Sequence, residues 1–242
     1  MNVLNAFVFI AWPYIAAFVF IVGATYRYYR AGFKVSSLSS QFLEGRKLFW
    51  GVVPFHIGML VLFFGHLSAF LLPELTLAWN ANPLRLIILE VTAFVFGISV
   101  LMSLLLLLHR RVTERRVVSV TTAMDYVVEL LLLGQVALGC WVAVMFRWGS
   151  SWFASDLSPY LWSLIRFQPE TTAVYALPWE IKLHIFGAFL ILFLVPFTRL
   201  MHFLVVPLHY LARPYQQVMW NWERRAIRSP STEWSKARPR NN

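Results

Sequence analysis

The stretch LFWGVVPFHIGMLVLFFGHLSAFLL, residues 48–72, contains no Asp, Glu, Lys or Arg, yet it carries two histidines, His56 and His66. As a helix it is long enough to cross about 30 Å of hydrocarbon. A ligating or ionisable side chain at that depth is costly and marks a functional site by default.

Four further stretches of comparable length flank it, roughly 3–26, 86–108, 126–146 and 183–208. The last, LHIFGAFLILFLVPFTRLMHFLVVPL, holds a second pair, His184 and His202. Composition agrees with five spans: 59% hydrophobic, 17% aromatic and a mean hydropathy of +0.63 over 242 residues exceed what one soluble core can hide. The first span lacks the basic start and small-residue cleavage site of a secretory signal and is expected to be retained. Its Pro13 is tolerable because neighbouring helices can satisfy the freed carbonyl.

Orientation follows from the cations, since short loops rich in Lys and Arg stay in the cytoplasm. Five follow span one (Arg27, Arg30, Lys34, Arg46, Lys47), four follow span three (Arg110, Arg111, Arg115, Arg116), and eight close the chain from Arg199 to Arg240. Only Arg85, Arg147, Arg166 and Lys182 fall on the other side. The N-terminus is therefore expected outside and the C-terminus in the cytoplasm. This pattern also accounts for the net charge of +10, which otherwise would suggest nucleic acid; no nucleic-acid partner is expected.

Cys140 is the one cysteine and lies in span four, so the chain can build neither a disulfide framework, nor an iron–sulfur cluster, nor a covalent haem attachment by itself. The outer loop 147–178 and the tail from 209 are too short to stabilise cores of their own. Residues 1–215 are read as one five-helix domain and 216–242 as a basic cytoplasmic tail. Chemistry that needs a large soluble active site must then occur on another subunit.

With span two running outward and span five returning, the histidines pair by depth, His66 with His184 and His56 with His202. Their separations along each helix correspond to about 15 Å and about 27 Å of rise. His184 and His202 are eighteen residues apart, a whole number of turns that puts them on one face. The unequal rises require tilt or a kink, and Pro196 can supply the kink. One histidine on each side of a flat macrocycle fills both axial positions of a haem iron, which suits electron transfer rather than oxygen chemistry. A proton relay, a zinc site and buried structural hydrogen bonds are the rival readings. Gly58, Gly65 and Gly187 would let a macrocycle approach the backbone, or simply let helices touch. His109 and His209 fall at the cytoplasmic ends of spans and read as interfacial. Haem propionates need cationic partners: Arg110, Arg111 and Arg199 are candidates at the inner site, Lys182 and Arg85 at the outer, with lipid contact as the alternative for the arginines.

The runs Pro54-Phe55-His56-Ile57-Gly58, Phe64-Gly65-His66 and Pro196-Phe197-Thr198-Arg199-Leu200-Met201-His202 resemble the gamma subunit of respiratory nitrate reductase. So do Pro13-Tyr14, Arg27-Tyr28, Ser39-Ser40-Gln41, Arg110-Arg111, Thr121-Thr122 with Asp125, and Gln135 with Ala137-Leu138-Gly139. The resemblance runs through essentially the first 215 residues.

It implies an all-α membrane protein, a multi-pass cytochrome b of the prokaryotic cytoplasmic membrane, whose five transmembrane helices bind two non-covalent haems b. It further implies quinol oxidation at the outer haem. Electrons would then pass through the inner haem to an iron–sulfur subunit and a molybdenum catalytic subunit on the cytoplasmic side, where nitrate is reduced. His56, His66, His184 and His202 would be the iron ligands, and Gly65 and Arg85 would shape the quinol site. The family carries lysine where this chain has Arg85, a change that keeps the charge and alters hydrogen-bond geometry. Glu90 reads either as the acceptor of a quinol proton or as the ion partner of Arg85. The aromatic outer loop reads as an interfacial belt, as a roof over the quinol pocket, or as a dock for an external electron-transfer protein. The alternatives for the whole chain are the anchor of a sulfur-cycle or heterodisulfide-type reductase, or a non-haem proton- or ion-translocating protein.

Overall fold

The ends of the helices sit where the sequence punctuates. In the computed structural model, which describes residues 3–31 and 46–204, five long helices carry the spans. They are α1 (Trp12–Ala31, preceded by helical turns from Val3), α2 (Arg46–Leu71), α3 (Pro83–Thr113), α4 (Ala123–Met145) and α5 (Trp179–Leu194). Counted with the turns before α1 (Val3–Arg30) and the 3-10 turn after α5 (Trp179–Phe197), all five are long and apolar enough to cross a membrane.

Asn82 caps α3, its Oδ1 accepting from the amides of Leu84 at 3.0 Å and Arg85 at 3.4 Å, with Pro83 at the first helical position. The third span thus begins earlier than position 86 and ends later than 108. Thr122 and Asp125 form a reciprocal capping box that starts α4.

The fifth span departs most from expectation. Its α-helix stops at Leu194, followed by a 3-10 turn Val195–Phe197, an extended Thr198 and a second 3-10 turn Arg199–Leu204. Pro196 lacks an amide hydrogen and its ring clashes with the preceding turn, so the ladder cannot continue. His202 therefore does not ride the helix of His184, and the shared-face calculation does not apply to it.

Helix α2 lies along α3, α3 along α4, α4 along α5 and α5 along α1. Among the described residues α2 and α5 share no comparable seam. We call the end bearing residues 147–178 the loop side and the end bearing Arg110 to Arg116 the basic side.

The loop-side segment is not an irregular connection. It forms short helical turns over Gly149–Trp152, Phe153–Leu157, Ser158–Ile165 and Thr172–Ala176. These contribute Leu157, Tyr160, Leu164 and Val174 to a core with Phe9, Val142, Ile181 and Ile185. Side-chain donors tie the segment to backbone carbonyls of the helices: Tyr160 to Phe9 at 2.8 Å, Ser158 to Ala69 at 3.0 Å and Trp162 to Phe70 at 3.0 Å. Burial pushes the Tyr160 phenol above its ordinary pKa, so it stays a donor. A second core of Val100, Leu104 and Leu132 joins α3 to α4.

Candidate functional site

On the basic side, the rings of His56 and His202 stand 6.4 Å apart between centroids, at 67°. Metal–nitrogen bonds of about 2 Å on either side of one ion would put two imidazole centroids about 6 Å apart. Both rings are oriented by their backbones. Nδ1 of His56 lies 2.8 Å from the Val52 carbonyl and Nδ1 of His202 lies 2.7 Å from the Arg199 carbonyl. A carbonyl partner makes Nδ1 the donor, which leaves Nε2 with its lone pair, the tautomer a metal ligand needs.

On the loop side, Nδ1 of His66 is likewise 2.8 Å from the Leu62 carbonyl, and the His66 ring meets the Phe153 ring edge-on at 5.5 Å. His184 is within electrostatic reach of His66 and has a buried Nδ1 without a hydrogen-bond partner. Its seat comes from α4. Gln135 donates to the His184 carbonyl at 2.9 Å. A Cβ on Gly139 would lie 3.0 Å from the His184 ring, and one on Gly187 would collide with Oε1 of Gln135. Both glycines are places where another side chain already occupies the space.

The histidines thus come in pairs, and among the described residues no third His, Cys, Asp or Glu gathers with them. Zinc takes three or four protein ligands, whereas a haem iron, already held by its macrocycle, takes two. The donor set fits haem.

Around the basic-side pair lies an ionic cluster. Arg199 Nε is 3.0 Å from Asp125 Oδ1, and Arg111 pairs with Glu129 and, at 3.7 Å, with Asp125. Two of the expected propionate partners are therefore already engaged by carboxylates; Arg110 is buried beside them. Breaking such a pair would strand a charge at a cost of about 3–5 kcal/mol. Arg27 of α1 donates to the carbonyls of Pro196 and Thr198 at 2.8 and 2.6 Å.

On the loop side, Lys182 donates to the Tyr175 carbonyl at 2.8 Å and Arg85 stacks over Trp79 at 5.2 Å. Glu90 does not take Arg85 as its hydrogen-bond partner; its Oε1 accepts from the Ser150 amide at 2.8 Å and hydroxyl at 2.6 Å. Ser150 and Ser151 accept in turn from the buried Asn80. Gly65 has nothing within 4 Å of where its Cβ would be. It lines an apolar groove of about 620 Å³ with Phe64, Ser68 and Leu72. His109 is exposed, whereas His209, Lys34, Ser39 to Gln41 and the tail 216–242 lie outside the described residues.

Arg27, Asp125, Gln135 and Gly139 were legible in the sequence only as points of resemblance, not as neighbours of the histidines. Thr122-x-x-Asp125 is a capping-box signal that could have placed Asp125 at a helix start.

Residues 5–221 match the family described as Nitrate reductase gamma subunit. The chain is 30% identical over 208 residues to the nitrate reductase gamma chain of Bacillus subtilis, covering 84% of this chain and 92% of that one. It is 31% identical over 220 residues to the respiratory nitrate reductase 2 gamma chain of Escherichia coli, covering 89% and 96%. The respiratory nitrate reductase 1 gamma chain of the same organism is 31% identical over 223 residues, covering 90% and 98%.

Proposed function

Because the chain belongs to the nitrate reductase gamma subunit family, we propose that it takes electrons from quinol for the respiratory nitrate reductase complex of which it is the membrane subunit. The observation that carries this reading is the His56–His202 pair, with its 6.4 Å separation and both Nδ1 atoms tied to carbonyls. His56 with His202, and His66 with His184, would hold the two haems b. When bound, the haems supply one-electron transfer from the loop side to the basic side, which against an inside-negative potential costs about 2.3 kcal/mol per electron per 100 mV.

The loop side faces outward and the basic side faces the cytoplasm, following the distribution of cations. Quinol binds at the loop side near His66. Gly65, which leaves its groove open, admits the flat ring, and Arg85, steadied on Trp79, supplies a cation beside it. Glu90, with Oε1 held by Ser150, offers Oε2 to a departing proton. The turns 153–164 cover this end, as a roof would. They exclude water from the pocket and present the surface an external electron-transfer protein would meet. At the basic side Arg110, with Arg111 and Arg199 as members of the ionic cluster, balances the propionates, as Lys182 does at the loop side. The domain of residues 1–215 ends in a basic tail, 216–242, that grips the cytoplasmic iron–sulfur and molybdenum subunits.

The test is a redox titration of the visible spectrum of the purified complex, followed by addition of a reduced quinol analogue. Two low-spin b-type components, both reduced by quinol, are expected. A complex with no haem spectrum would return the four histidines to a proton or metal role.

A further inference from the structure

His202 sits on a piece of chain that cannot hold itself. Beyond Leu194 the backbone passes through the turn Val195–Phe197, the extended Thr198 at φ −121 and ψ 177, and the turn Arg199–Leu204. Carbonyls freed by such a break need donors, above all in a membrane, where water is not available to them. Two helices elsewhere in the chain reach in to fasten it.

From α1, one guanidinium nitrogen of Arg27 serves both Pro196, at 2.8 Å, and Thr198, at 2.6 Å. From α4, Asp125 holds Arg199 Nε at 3.0 Å through Oδ1. The other oxygen of Asp125 is held by the amide of Thr122 at 2.9 Å and its hydroxyl at 3.0 Å. Arg199 then closes the path, since its carbonyl is the partner of His202 Nδ1 at 2.7 Å. The residues on either side of the break are thus pinned to two different helices, and one of the pinned residues orients the imidazole directly.

We infer that Arg27 and Asp125 are positioning residues for His202, fixing its ring toward His56 and so setting the properties of the inner haem site alone. The inference rests on the reading of His56 and His202 as axial ligands. The physical link is the Nδ1–H···O bond: its length and direction set the ring's orientation and the basicity of Nε2, and loss of such a partner costs about 10- to 100-fold in metal affinity. At position 27 a single guanidinium nitrogen meets both carbonyls, its two N–H bonds fixed in the plane of an always-charged group; a lysine ammonium has donors enough for both but carries them on a flexible stem and holds the carbonyls less rigidly.

The experiment compares Arg27→Gln, Arg27→Lys and Asp125→Asn with the unaltered chain, each purified with its partner subunits. Haem content, an optical redox titration and the low-temperature EPR of each ferric low-spin centre are read, with no dependence on turnover. Arg27→Gln is expected to weaken haem retention at the inner site about ten-fold and to move that centre's midpoint and EPR position, while the outer centre stays where it was. Asp125→Asn should shift the same centre, and Arg27→Lys should recover part of the effect. If neither Arg27→Gln nor Asp125→Asn moves the inner centre, or if both centres decline together in each variant, the inference is overturned. A haem-free unaltered complex would instead overturn the ligand reading beneath it.

Discussion

The two histidine pairs draw on the same two spans of one chain, with His202 beyond the end of α5, and are supported in opposite ways. At the loop side His184 is on the regular part of α5, and its surroundings act by shape: Gly139 makes room for the ring, Gly187 makes room for Gln135, and Gln135 fastens the His184 carbonyl. At the basic side His202 lies past the proline break and its surroundings act by charge: Arg27, Asp125, Arg199, Arg111 and Glu129 interlock around it. The contrast teaches that a helix orients a ligand for the cost of fitting its neighbours. A broken segment must also find donors for its own backbone.

The largest expected effect tests whether the pairs are separate at all. His184→Ala should remove one b-type component and His202→Ala the other, each leaving its counterpart, and either should abolish quinol-driven reduction of the terminal acceptor. Loss of both components from either substitution, seen in the redox titration, would break the comparison. Next, Arg111→Leu strands Glu129 in the basic-side cluster and should lower stability by about 3–5 kcal/mol. A melting temperature of the purified complex that does not fall would show that the cluster supports little. A third test concerns the loop side: Glu90→Gln should slow quinol oxidation by about 100-fold with full haem content, and unchanged turnover discards Glu90 as a proton acceptor. The smallest effect is expected from Gly187→Ala, where the added methyl must displace Gln135, an overpacking of about 1–3 kcal/mol. Its optical signature should be confined to the outer component, in mirror image to Arg27→Gln; a shift of the inner one would show that shape and charge are not divided between the two ends.

The five spans and the four histidines are legible in the sequence because hydrocarbon thickness and the cost of polar groups impose them residue by residue. Hydropathy places the start of the third span near 86, three residues past Pro83, where the Asn82 cap begins α3. Pro196 announces a kink, and the structure turns the kink into a complete stop of the α-helix. The partners of the basic cluster were not legible. Arg27 meets Pro196 across 169 positions, and no local pattern says which of many cations finds which carbonyl. The helical turns of the loop segment 147–178 were not legible for a related reason: each is too short for periodicity to reveal, and no local pattern says that Tyr160 and Trp162 donate to Phe9 and Phe70.

That α2 and α5 share no seam comparable to the others among the described residues bears on the order in which the molecule is made. Helices that pack on their neighbours in the chain, α2 on α3, α3 on α4, α4 on α5, can dock one after another as they leave the ribosome. Between the two histidine-bearing segments the described links are the His56–His202 ring pair at the basic side and, at the loop side, turns that donate to Ala69 and Phe70 and pack on Ile181 and Ile185; on the reading given above, iron would add to them. Assembly would then have a natural checkpoint at the basic side: a chain fully inserted and correctly ordered, with His56 and His202 facing each other but joined only when the cofactor arrives.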